Sequence, residues 1–351
     1  MRRAAVLLPL LSLGCNASFI AALAPETDGS TDAGSSMDAS TTQSVGTDSG
    51  TSDDLDTSGS SSSTDGPPLC MPPDPLAACD AAADPLRAPE IACYDDVAAA
   101  RFESLDPAAW RRAHELGNAN WVSSESDAIL VLSTGTLPEP GMVGEVYLDP
   151  AAAELSPSDN ANPDGVALPG DIDPAADSVA PAFGGAADDL VWLSFDATVP
   201  AGARGYAIRV GFLSAAYPED LAADVSDLFV WWHESQAHVG NLALWNGAPA
   251  TVAGLGPRMH AFAGEHPMLL RTGMDGTTGE LCDIEGQSVN CPIGAATGWM
   301  ELRGPAEPGE VIHVTAALFD QDTLARDTLV ALDAFRWTCT SCVPGEDCGL
   351  Q

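Results

Sequence analysis

The side chains whose types and spacing could support chemistry here are a pair of histidines, one serine, two groups of carboxylates and nine cysteines. His233-Glu234-Ser235-Gln236-Ala237-His238 falls one residue short of the His-Glu-x-x-His signature, in which imidazoles one helical turn apart hold zinc. A spacing of five turns the two rings about 140° apart on a helix and onto opposite faces of a strand, so both read as structural histidines. Ser214 is the residue to test as a nucleophile, but no histidine lies near it in sequence. Neither a Gly-x-Ser-x-Gly elbow nor a phosphate-binding loop occurs. Calcium needs only six to eight oxygens, and two stretches offer them. Asn160-Ala161-Asn162-Pro163-Asp164-Gly165 has the alternating oxygens and turn glycine of a calcium loop, with Asp171 in place of the usual glutamate. The same composition also makes an ordinary surface turn, which is the preferred reading. Asp320, Asp322 and Asp327 lie between two strand-like runs, where three carboxylates repel one another unless solvated or bridged, and Ca2+ is the cofactor they would take.

If Cys15 carries lipid, eight cysteines remain: Cys70, Cys79, Cys93, Cys282, Cys291, Cys339, Cys342 and Cys348. An even remainder in an exported chain implies disulfides, all eight paired. Cys282 and Cys291 flank a short segment with Gly286 and Asn290, which suits a stapled hairpin, so these two are expected to bond. The other six fall into an N-terminal and a C-terminal trio, and at least one bridge should join the ends of the domain. Zinc is the alternative for Cys339-x-x-Cys342, although no second pair at that spacing accompanies it.

The elements that must position these groups are mostly strands. Tyr206, Ile208, Val210 and Phe212 alternate with smaller or polar residues, as do Val191, Leu193 and Phe195. Similar runs cover 128–132, 228–232, 241–245, 311–319 and 329–337, separated by Pro/Gly-rich turns. Without interleaved helices they predict an antiparallel, jelly-roll-like β-sandwich. One short N-terminal helix is written before them, with Asp106 as N-cap, Pro107 at the first position, Leu105 and Trp110 as a hydrophobic staple and Gly117 as the stop. Trp231 and Trp232 read as core, while Trp245 and Trp299 are further candidates for a lectin-like surface.

Five ordered segments, LVLSTG at 130–135, the run from Gly205 to Trp232, NLALWNGAPATV at 241–252, DGTTGELCD at 275–283 and the run from Val311 to Phe335, resemble the choice-of-anchor L domain. That resemblance spans about Cys70 to Cys339 and implies a bacterial surface or secreted module with no common ligand or activity. The family's Ser-Glu-Glu-Tyr-Pro-Glu stands here as Ser214-Ala215-Ala216-Tyr217-Pro218-Glu219, and its Phe-Asn-Asp as Val225-Ser226-Asp227. Asp320, Asp322 and Asp327 match acidic positions of the family with shifted spacing.

The first residues, MRRAAVLLPLLSLGC, are a basic start and an apolar run too short to span a bilayer, and Gly14-Cys15 resembles the lipobox of bacterial lipoproteins. Residues 1–14 are therefore expected to be a signal peptide and Cys15 the site of lipid attachment. Ordinary cleavage after Ala24 is the rival, and it would leave Pro25 just behind the cut. Asn16 after the cysteine points to the outer membrane or cell surface by resemblance to known sorting rules. Residues 15–69 are mainly Ser, Thr, Asp and Gly, which cannot bury enough surface to fold, so they read as a disordered linker ahead of a disulfide-stapled domain at 70–348.

A formal net charge of −38, with every one of the thirteen basic residues an arginine, repels phosphate backbones and anionic headgroups. Nucleic acid is excluded as a partner, and contact with the membrane would have to come through lipid. The expected function is a lipid-anchored, non-enzymatic surface module for adhesion, matrix or envelope contact, its ligand a surface glycan or protein. The alternative is a carbohydrate-binding or hydrolytic domain, which would need two carboxylates or a Ser/His pair converging in one cleft.

Overall fold

Long runs of β-branched and aromatic residues broken by Gly and Pro have one stable use, paired strands stacked face to face, and the computed structural model of this protein has that form. It describes residue 75 and residues 84–351, apart from 118–119, 125–126, 142–144, 147–159, 224–225, 262–266, 285 and 322–325. The described elements belong to one compact unit, residues 63–351.

The fold is mostly β and antiparallel, as expected. The first sheet has five strands in the order β1 (Val97–Glu103), β7 (Asp188–Thr198), β16 (Val311–Asp320), β9 (Leu228–Glu234) and β10 (Val239–Asn241). The second has six, in the order β18 (Gly349–Leu350), β15 (Ala295–Pro305), β8 (Gly205–Ser214), β17 (Thr328–Thr338), β5 (Ile129–Ser133) and β2 (Trp110–Ala113). Their facing sides share one core. Phe195 of the first sheet meets Phe335 of the second edge to face, ring centroids 5.7 Å apart, and the Trp231 indole N–H donates across the gap to the Tyr206 hydroxyl at 3.0 Å.

The outer faces are covered too, which explains why β5 is buried at every position instead of alternating. Over the second sheet lies a small sheet of β3 (Glu115–Leu116), β4 (Trp121–Val122) and β6 (Glu145–Val146), whose Leu116, Trp121 and Val146 pack on Ile129, Val131, Leu213 and Leu329. Trp121 sits directly on Gly211, where any Cβ would come within 2.1 Å of the indole ring. Over the first sheet, Ile172, Val179 and Ala182 cover Leu228, Val230 and Phe319. Among the described residues there are also two separate two-stranded sheets, β11 (Leu244–Trp245) with β12 (Ala248–Pro249), and β13 (Thr277–Ile284) with β14 (Gln287–Pro292).

The expected N-terminal helix begins and then stops. Asp106 Oδ1 accepts the Ala108 N–H at 2.7 Å and Pro107 opens a single 3-10 turn, Pro107–Ala109. At Trp110 the backbone is already extended, and the chain pairs as β2 with β5 instead of continuing to Gly117. Tertiary pairing overrides the local start signal: Trp110 packs on Phe102 at 4.9 Å, closing one side of the sandwich, and the Arg111 guanidinium donates to the carbonyls of Pro107, Leu137 and Pro138. The α-helical turn found among the described residues is elsewhere, Val252–Leu255, capped by Thr251.

His313 ties the covering layer to the first sheet. Its Nδ1 is 2.6 Å from Asp196 on β7 and its Nε2 is 3.2 Å from Asp171 in the covering segment, the residue that would have closed a calcium loop. Burial pulls its pKa down, but the hydrogen bonds and charges of Asp196 and Asp171 together outweigh it and hold it above the ordinary histidine value. A raised folded pKa gives stability that is complete below about pH 6.5 and is lost as pH rises through the folded value. Melting temperature should therefore fall more steeply above pH 6.5 in the wild type than in His313→Gln. Parallel pH profiles would refute the clamp.

Candidate functional site

One end of the sandwich gathers the sequence's most conspicuous polar groups. The C-terminal ends of β5, β8 and β16 and the N-terminal ends of β7, β9 and β17 meet there, because each pair runs antiparallel in register: Thr328 opposite Ser214, Leu329 opposite Ser133, Phe319 opposite Leu228. This last pairing puts Asp320, the final residue of β16, beside Asp227, the residue before β9. Both are buried, at 3% and 1% exposure. Asp227 faces the Asp320 carboxyl and the Thr328 hydroxyl, yet neither of its oxygens makes a well-formed hydrogen bond. Burial, followed by the Asp320 charge, pushes its pKa well above the usual carboxylate range, and Asp327 adds to the effect.

A polar frame surrounds the pair. Gln321 donates to the carbonyls of Ala182 and Ser226 and accepts from the Gly184 N–H, locking the segment before β9 to the covering layer. The Asp327 carboxylate fills the space above Gly135, where a Cβ would come within 2.1 Å of it, while its carbonyl accepts the Ala215 N–H. Arg326 pairs with Glu219 at 3.3 Å, which joins this end to the Ser214–Glu219 loop.

Of the three carboxylates singled out in the sequence, Asp320 and Asp327 are at this end, and Asp322 lies outside the described residues, as does Val225. Among the described residues, no three His, Cys, Asp or Glu side chains converge as a ready metal set. Asp227, which faces Asp320 here, was not among the carboxylates singled out in the sequence. Its signal was there, a carboxylate directly before the wholly apolar Leu228–Trp232.

The other candidates have structural work. Asn162 Oδ1 accepts the N–H groups of Leu105 and Asp106, and Asn160 Nδ2 donates to the carbonyls of Ser133, Thr134 and Asp189, so the 160–165 stretch fastens backbone. Ser214 is fully buried, its Oγ accepting from Thr328 Oγ1 at 2.9 Å and from the Ala216 N–H. His233 and His238 stand on neither a helix nor one straight strand. A turn at 235–238 folds β10 back on β9, and the rings stack 6.2 Å apart. His233 is buried with Nδ1 on the Tyr206 hydroxyl, and burial, then His238, pushes its pKa down to about 3, so it is neutral at any ordinary pH. Trp231 and Trp232 are core, as read from the sequence, and Trp299, half-buried, is covered by the Arg209 guanidinium at 4.3 Å.

Cys342 is bonded to Cys348, and Cys93 and Cys339 are each disulfide-bonded, which removes both thiols that zinc would use at Cys339-x-x-Cys342. Cys282 and Cys291 are separate thiols placed side by side. Compared with known proteins, the chain matches no family model and no curated protein sequence.

Proposed function

We propose that this chain is an exported lipoprotein of the choice-of-anchor L type, attached through Cys15. It presents a non-enzymatic β-sandwich for adhesion, matrix or envelope contact. Calcium braces the loop end at the Asp227–Asp320 pair, with Asp327 beside it.

The observation that carries the calcium reading is the contact between the buried carboxyls of Asp227 and Asp320. Two carboxylates out of water each lose several kcal/mol of solvation and repel one another, so a proton or a cation must neutralise them. Calcium suits this end because it accepts irregular sets of oxygens, backbone carbonyls included. The hydrolytic alternative has less support, since a polymer cannot reach a pair of carboxylates this deeply buried and Ser214 is engaged by Thr328.

Intact mass spectrometry of the mature protein should give a lipid-modified Cys15 at its N-terminus, and a chain starting at Pro25 would overturn the anchor. Equilibrium dialysis should load calcium on the full chain in a form that a chelator removes, and Asp227→Asn should abolish the loading. Undiminished loading of that variant would move the ion elsewhere.

A further inference from the structure

The hairpin of β13 and β14 belongs to neither main sheet, and the residues Thr277–Leu281 on its outer strand are exposed. Cys282 and Cys291 are on one face of it: Cys282 is opposite Val289, two residues from Cys291, and strand side chains repeat every second residue. Their thiols touch, but the register that pairs Ile284 with Gln287 leaves them diagonal rather than opposed. Directly opposed residues bring their Cβ atoms to about 4.5–5.5 Å, whereas diagonal neighbours stand about 7–8 Å apart. A disulfide across such a diagonal forms only with local backbone movement and stays under strain once made. Cys342 and Cys348 differ, with Cα atoms a comfortable 5.0 Å apart.

Location gives the thiols a consequence. Cys282 lines a cleft of about 610 Å³ with Tyr217, Pro218, Glu219, Leu221 and Ile284. Cys291 lines its neighbour, about 350 Å³, with Glu219 and Arg326. Glu219 is the wall between the two clefts, so a bond that draws the cysteines together reshapes both.

We propose that Cys282 and Cys291 are an exchangeable dithiol, a redox modification site whose co-reactant is a small-molecule disulfide and whose oxidised form draws the hairpin tight beside the Glu219 loop. Cys282 is half-buried and Cys291 is buried, so Cys282 attacks first. Its thiolate takes one sulfur of the external disulfide and expels the other as a thiolate. Cys291, deprotonated in turn, attacks the Cys282 sulfur of this mixed disulfide and expels the second. Two protein thiols are oxidised, one external disulfide is reduced to two thiols, and the protons from the cysteines end on those leaving thiolates. Burial, the hydrogen bond to Cys291 and the neighbouring acids push the Cys282 thiol up to about 11, so exchange should accelerate nearly tenfold per pH unit over the range in which the thiolate is scarce.

The test is titration of the full-length mature protein with mixtures of reduced and oxidised glutathione, followed by alkylation and peptide mass mapping. In reduced glutathione Cys282 and Cys291 should each take a label while Cys342 and Cys348 take none. In oxidised glutathione both labels should vanish with a loss of two hydrogens, and the change should reverse. Cys291→Ser should stall as a glutathione adduct on Cys282, while Cys282→Ser should react at least tenfold more slowly. The proposal fails if both thiols still alkylate in oxidised glutathione. It fails equally if the bond resists reduced glutathione as Cys342–Cys348 does, or if Cys282→Ser forms its adduct at the rate of the wild type.

Discussion

Millimolar calcium should raise the melting temperature of the full-length chain by several degrees, and Asp227→Asn should erase that response. An ion that binds only the folded state stabilises it by RT ln(1 + [L]/Kd), about 2.7 kcal/mol at a hundredfold excess over Kd. Magnesium should do less, since it demands tight octahedral geometry and gives up water reluctantly. Without calcium the sign reverses. Asp227→Asn then removes a desolvated charge facing Asp320 and should match or exceed the wild type. Because the folded pKa of Asp227 is raised, its apo-state contribution is present below the unfolded value near 3.9 and is lost as pH rises through the folded one. The wild type should therefore gain on Asp227→Asn as apo protein is acidified, and calcium should flatten that difference. A melting temperature indifferent to chelation, or a full calcium response in Asp227→Asn, leaves the pair as a proton-sharing structural contact.

Phe335→Ala should cost about 3–5 kcal/mol, at the upper end of single core truncations. Phe335 is fully buried and its ring centroid lies 5.9 Å from Tyr94, 5.7 Å from Phe195, 5.5 Å from Tyr206 and 5.6 Å from Trp337. It links both sheets and the N-terminal segment, so the cavity left behind has rigid walls and cannot collapse. In urea the midpoint should fall with the slope unchanged, whereas Val311→Ala, on a residue 60% exposed, should stay within about 0.5 kcal/mol. A loss below about 1.5 kcal/mol for Phe335→Ala would mean that these rings repack around the gap.

The strands were legible because their own side chains write the period. Tyr206 to Phe212 alternates, and it is a strand whose larger residues face the shared core. Asp106 and Pro107 were just as clear, and they do cap a turn. What a local signal cannot contain is the open edge of β5, which takes Trp110–Ala113 as a partner and ends the helix. His233 and His238 were judged by helix and strand geometry, while the decisive fact is a four-residue turn that folds the chain back between them. The Asp227–Asp320 contact depends on the register of two strands some eighty residues apart, which no spacing along the chain encodes. Ser214 and the 160–165 stretch were ambiguous for a different reason. Oxygens that could hold a metal also serve backbone N–H groups, and only burial tells which use prevails.

The two sheets end on strands poorly suited to recruiting another molecule. β10 has three residues, β18 two and β2 four, and the longer β1 is broken by a register shift between Ala98 and Arg101. An exposed, straight edge is a template on which a second chain can add its own strand, and short or bulged edges remove that template. Molecules crowded together at high local concentration would therefore meet through side chains and acidic surface instead of zipping into a continuous sheet. Dense packing of such molecules gives the edges of the two main sheets no strand to add.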